Sequence, residues 1–238
     1  MRRGTALIAS VAASIVALGM PVVPATTAAT TSELKPPIVW ERIPFGATRE
    51  RQMAAYSKRH YGVRTWRLSD PKVIVEHYTG GTSFDSAWSY FAANVRHLGE
   101  MPGVCSHFII DTDGTIYQLV NLRKRCRHAI GMNWTAIGVE MVGTSAPSIL
   151  HRGRQIRAAL RLTLWLMARE GIGVGNVIGH AETLGSPYHH ERYASWRCLT
   201  HSDWRRPYMK RFRHQLRRLA RRADVWGGPA PEWVDSDC

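Results

Sequence analysis

Acidic residues are scarce in this chain. Its 238 residues hold 18 Asp and Glu against 32 Lys and Arg, a net charge of +14. An imbalance of that size speaks to partners and not to fold. Cysteine is sparse as well: Cys105, Cys126, Cys198 and Cys238 are the only four. None forms a C-x-x-C pair, which argues against a zinc site made of cysteine alone. No internal repeat and no low-complexity block is present, so a solenoid or array is excluded. The long apolar run is confined to Thr5–Met20, carries Ser10 and Ser14, and stops at Pro21. It is short for a stable membrane span. An aromatic-rich basic motif of the single-strand-binding kind is also missing, so nucleic acid is not an expected partner despite the charge.

What is present suits one domain with a sizeable core, since 45% of residues are hydrophobic. The start has the three-part layout of a secretory signal peptide: Met1-Arg2-Arg3, the apolar run, then small residues from Ala25 to Ala29. Residues 1–31 are therefore set aside, and a secreted or cell-wall-associated protein is expected. Export permits disulfides. Four cysteines allow three full pairings, and sequence does not choose among them. A Cys105–Cys126 bridge would follow if a hairpin separates the two. Residues 32–47 read as a Pro-containing extended lead-in, 48–223 as the folded domain, and 224–238, with Gly227-Gly228-Pro229, as a loosely held tail.

Within the domain, strands and helices mix. Thr48–His60 suits a helix, and Lys72–Tyr78 is a β-branched run of buried-strand type. Thr82 to Asp85 reads as a capping box before a helical stripe from Trp88 to Leu98. Ser106–Asp111 and Thr115–Val120 flank Asp113-Gly114 as a hairpin. Ala136–Val142 and Val174–Gly179 are further strands, with a helix from Ile156 to Ala168 between them and Gly171 as its C-cap. The expected fold is a single α/β domain with a mixed central sheet flanked by helices. Late in the chain, nine Arg and Lys fall between Arg205 and Arg222, while Met209, Phe212, Leu216 and Leu219 recur at helical spacing. The ordinary reading is a surface helix with a solvated basic face; the sharper one is a patch for anionic wall polymers.

Three residues interrupt apolar strands where an ionisable group is costly. His77 stands in V-I-V-E-H-Y, His180 follows V-I-G, and Glu140 sits in A-I-G-V-E-M-V. Two strand-end histidines of one sheet can converge on a metal, and a catalytic zinc site keeps three protein ligands and an open fourth position. A third ligand should lie near His180; His189, His190, Glu191, His201 and Asp203 are all candidates by proximity. A carboxylate such as Glu140 has a raised pKa unless it is paired, which suits proton transfer near neutral pH. Each residue alone has a structural explanation, but together such violations mark a site.

The ordered segments V-I-V-E-H-Y, S-H-F-I-I-D-T-D-G-T-I-Y-Q-L-V, R-H-A-I-G-M-N-W-T-A-I-G-V-E and V-I-G-H-A-E resemble the zinc N-acetylmuramoyl-L-alanine amidases. That family includes phage lysozyme-type amidases and peptidoglycan recognition proteins. The resemblance runs over residues 72–213. It implies Zn2+ held by His77, His180 and Asp203, with Glu140 in proton transfer and His201 where the family usually has lysine. It also implies that His107, His128 and Asn133 line or support the groove, with Tyr78 and Trp134 as further substrate contacts. Trp88 is assigned to the core. Two departures stand out: Trp204-Arg205 replaces the family's Pro and Gly, and the segment from His180 to Asp203 is long, so His190 and Glu191 stay open as ligands. The implied reaction is hydrolysis of the amide between N-acetylmuramic acid and L-alanine in peptidoglycan, by a monomer. A non-catalytic wall-binding module and a zinc peptidase acting within the stem peptide are the alternatives.

Overall fold

The computed structural model describes residues 1, 30–229, 232–236 and 238. The signal-peptide reading covers residues 1–31, of which 2–29 lie outside the described residues. Among the described residues, no helix is long and apolar enough to cross a membrane.

The elements are α1 (Thr31–Leu34), β1 (Val39–Trp40), α2 (Ala47–Tyr61), β2 (Val73–Tyr78), α3 (Phe84–Ala92), β3 (Phe108–Ile110), β4 (Ile116–Gln118), β5 (Ala136–Met141), α4 (Ala146–His151), α5 (Gly153–Glu170), β6 (Val177–Gly179) and α6 (Arg206–Arg222). The six strands form one mixed sheet in the order β1-β4-β3-β5-β2-β6. β3 and β4 are antiparallel, and every other pairing is parallel. The expected α/β domain with a mixed sheet and flanking helices is what forms.

Period-two alternation decides which residues face which side. On β5, Ile137, Val139 and Met141 join Ile74 and Val177 in the main core under α5 and α6. Ala136 joins Val73, Val75 and Ile178 on the opposite face. His77 and Glu140 share the parity of Val75 and Ala136, so they point to that second face. α5 buries Ile156, Ala159, Leu160 and Leu164, the stripe expected from sequence, and Gly171 ends it with φ +68°.

Several boundaries differ from the sequence reading. α3 stops at Ala92, and not near Leu98, because Asn94 and Leu98 adopt positive φ and the chain doubles back through a His97–Glu100 bridge. Its N-cap is Ser83, whose hydroxyl accepts from the Ser86 amide; no capping box forms with Thr82. Val174–Asn176 is a 3-10 turn, which leaves only Val177–Gly179 as strand. Several described residues of the tail contact the body of the domain. Val174 N–H donates to Gly227 O, Val234 N–H donates to Gly185 O, and Trp233 lies over Arg206 and Arg213. Cys198 is bonded to Cys238, and Cys105 to Cys126.

Candidate metal centre

The sheet brings the suspected residues to one end. β5, β2 and β6 are adjacent and parallel, with His77 paired to Glu140 and Glu76 to Gly179. Glu140, His77 and His180 therefore stand side by side at the carboxyl ends of three neighbouring strands, where open α/β sheets place their sites.

Asp203 arrives from far along the chain, and Trp204 fixes it there. The Trp204 indole is fully buried and donates to His77 O at 3.0 Å. Ala181 N–H donates to Asp203 O at 2.9 Å. Gly179 permits this approach, since a Cβ there would collide with the Trp204 main chain. His77 Nδ1 lies 3.2 Å from Asp203 Oδ2, and His180 Nδ1 lies 3.2 Å from Asp203 Oδ1. One donor atom from each of the three falls within 4.8 Å of the others. Two imidazole nitrogens and a carboxylate converge, with His77 and Asp203 buried and His180 half-buried, in a donor set of the kind zinc takes, and three ligands leave one position open.

Hydrogen bonds behind His77 leave the correct nitrogen free. His128 Nε2 faces Ala136 O at 3.3 Å, which makes that nitrogen the protonated donor. His128 Nδ1 is then an acceptor, and His77 Nε2 donates to it at 3.1 Å. The remaining His77 nitrogen, Nδ1, faces Asp203 Oδ2 and the metal position, and is the atom that would give up its proton to a bound ion. Burial, with His77 next, holds His128 well below the usual imidazole range, consistent with a neutral ring.

Glu140 is 9% exposed, and its Oε2 has no hydrogen-bond partner among the described residues. Burial pushes its pKa up to about 7, opposed by His77 and reinforced by Asp203. Burial also lowers His180 to about 4. Asp203 is raised by burial, but hydrogen bonds from His180 and His77 hold it well below the ordinary carboxylate range. His201 is 70% exposed, stacks on His180 and places Nδ1 2.8 Å from Asp203 Oδ1.

Two adjoining depressions meet over this cluster, of about 300 and 330 Å³. His77, Tyr78, Glu140 and Asp203 line the first; Leu98, Ile130, Leu199 and Thr200 line the second; His97, His128, His180 and His201 line both. Of the expected substrate contacts, Tyr78, His128 and Asn133 line the groove, Asn133 from beneath. His107 does not. It is fully buried, accepts from Gly138 N–H through Nδ1 and donates to Lys124 O through Nε2. Asn133 is also fully buried, and its Oδ1 accepts from the His128 and Ala129 amides. Both support the floor. Trp134 turns away to donate to Tyr188 O within a cluster around Tyr56 and Trp196. Trp88 packs beside the core cluster of α3, as expected. The competing third ligands lie elsewhere: Glu191 Oε1 sits 2.9 Å from His60 Nδ1, and His190 is exposed at a separate cavity. Sequence reasoning missed Trp204 and His97. Trp204 departs from the family pattern, and that departure was its one visible signal.

Comparisons with known proteins agree with this chemistry in one respect. The family model for N-acetylmuramoyl-L-alanine amidase matches residues 67–198, which includes His77, Glu140 and His180 and ends before Asp203. No curated protein matches the chain. Among solved structures, a mutant endolysin from Bacillus subtilis is 26% identical, covering 60% of this chain and 83% of its own at a TM-score of 0.41. The endolysin N-acetylmuramoyl-L-alanine amidase LysCS from Clostridium intestinale URNW is 21% identical, covering 61% and 81% at a TM-score of 0.42. At these TM-scores the likeness adds nothing to the family match.

Proposed function

The chain belongs to the N-acetylmuramoyl-L-alanine amidase family, and from that premise we propose that it is a zinc-dependent hydrolase of the amide joining N-acetylmuramic acid to L-alanine in peptidoglycan. The observation that carries the reading is the unpartnered Glu140 oxygen beside the His77–His180–Asp203 donor set.

His77, His180 and Asp203 would hold the ion. Zinc, when bound, supplies a Lewis acid that lowers the pKa of water and polarises the scissile carbonyl. Glu140 accepts the proton of the attacking water at Oε2 and delivers it to the leaving nitrogen, giving a carboxylate on the lactyl group and a free L-alanine amine. His201, on the rim, stabilises the developing oxyanion in this reading. Tyr78 and His128 contact glycan or stem peptide where they line the groove.

The same reading takes residues 48–223 as the catalytic domain and residues 1–31 as an export signal. Two disulfides support an oxidising compartment. The test is product analysis on purified peptidoglycan with wild type and Glu140→Ala. New N-terminal L-alanine with intact glycan is the expected product, absent with the variant. Cleavage within the stem peptide would indicate a peptidase. Stoichiometric zinc with no products would indicate a binding module.

A further inference from the structure

The sequence singled out the basic run that becomes α6, and the proposed reaction makes no use of it. In the fold, α6 packs beside α5 on the face of the sheet away from the groove. Between the two helices lies a trough of about 280 Å³. Arg157 and Arg161 of α5 stand on one wall, and Arg218 and Arg222 of α6 on the other. Leu160, Leu219 and Gln215 complete the lining.

Neighbouring cations on the same helices are already occupied. Arg213 is buried on Glu182 at 2.6 Å, Arg206 reaches the same carboxylate at 3.9 Å, and Arg169 pairs with Glu170 at 2.7 Å. Glu170 is the only acidic residue of α5, and α6 has none. The four trough arginines are exposed, and among the described residues none pairs with a carboxylate. Four guanidinium groups lining one trough repel one another unless an anion lies among them, and the fork geometry of arginine matches phosphate oxygens.

We propose that this trough binds a linear polyol-phosphate chain. Arginines on both walls of a concavity address a thin chain from two sides. A bilayer would instead need a basic face bordered by apolar side chains that insert into it, and the trough's leucines form its floor. Single-stranded nucleic acid would need aromatic side chains to stack bases, and no aromatic residue lines the trough. Arg218 and Arg222 lie twelve and sixteen residues into α6, about 18–24 Å along the helix from the Asp203 end at its usual rise. Chain binding and amide hydrolysis therefore occupy separate surfaces, and the proposal stands whichever reaction the groove performs.

The experiment measures binding of a defined poly(glycerol phosphate) oligomer to the full chain as a function of salt. It compares wild type with R157Q/R161Q/R218Q/R222Q and with a control of equal net charge, R51Q/R64Q/R96Q/R123Q. The expected result is at least a tenfold loss of affinity for the trough variant, with its log K against log salt slope shallower by about 3. The control variant should keep nearly all the affinity. Hydrolysis of a small soluble substrate, unchanged in the trough variant, shows that it is folded. Replacing the same four arginines by lysine covers the case in which the glutamine variant fails to fold, and should keep most of the slope while weakening binding. Equal losses in trough and control variants would overturn the proposal. So would tighter binding to phosphatidylglycerol vesicles or to an oligonucleotide of matched charge.

Discussion

Glu76 and Glu140 lie on neighbouring strands, Glu140 level with His77 and Glu76 one residue before it, and face opposite sides of one sheet. Both are buried, burial raises both, to about 8 and about 7, and each has one oxygen without a partner. Glu76 is sealed beneath α5, where Thr163 donates to its Oε1 at 2.8 Å, and it is 0% exposed. Glu140 is 9% exposed and walls an open groove beside three convergent donor atoms. The electrostatic perturbation is nearly the same on the two faces. Access and neighbours, and not the shifted acidity, separate a candidate catalytic group from a buried structural acid.

The largest effect that tests this contrast is on turnover. Glu140→Gln should lower activity on peptidoglycan by about 10²–10⁴-fold with zinc content unchanged, the usual worth of a positioned acid–base group. Glu76→Gln should stay within about twofold, since it touches neither groove nor donor set. Comparable losses in both would erase the distinction. The second effect is on stability, and it runs the other way. A carboxylate whose folded pKa lies above its unfolded value destabilises the fold as pH rises from about 4.5 to about 8. Glu76→Gln mimics the protonated acid, so it should be more stable than wild type by about 5 kcal/mol at pH 9 and nearly equal at pH 4.5, read by denaturant unfolding.

A third test concerns the imidazole behind His77. His128→Phe keeps a ring but cannot accept from His77 Nε2, so zinc affinity measured against a chelator should fall about 10–100-fold. His128→Gln, which retains an acceptor, should recover part of it. No change in either would show that the hydrogen bond does not orient the ligand. The smallest effect is in the pH profile. Glu140 must be ionised to take a proton, so activity falls as pH drops through its pKa, and a bound cation moves that limb below 7. Glu76→Gln should move the limb by less than about half a unit; a larger shift would mean the two faces are electrically coupled through His77.

Much of this site was legible in the sequence because strands announce their exceptions. His77, Glu140 and His180 each break an apolar run, and the parallel register then puts them in one row. The helical periodicity of α5 was equally plain. Asp203 was not legible from pattern: it stands in a loop, and what fixes it is a hydrogen bond from Trp204 to His77 O across 127 residues. The shortened α3 was hidden for a related reason. Its apolar spacing continues to Leu98, but Arg127 collects the carbonyls of His97, Glu100 and Pro102 and holds that stretch as a loop. His107 and Asn133 carry no signal that separates a groove wall from the layer beneath it; only their hydrogen bonds to the main chain do.

The bond between Cys198 and Cys238 closes a covalent ring of the chain that contains His201, Asp203, Trp204 and all of α6. A protease that nicks this ring once leaves both fragments attached to the body of the protein, so the loop carrying Asp203 cannot drift away after a single cut. Closing a loop of this size also removes about 4 kcal/mol of freedom from the unfolded chain. Durability against digestion is thus concentrated on the segment whose key carboxylate is held to the sheet by so few contacts.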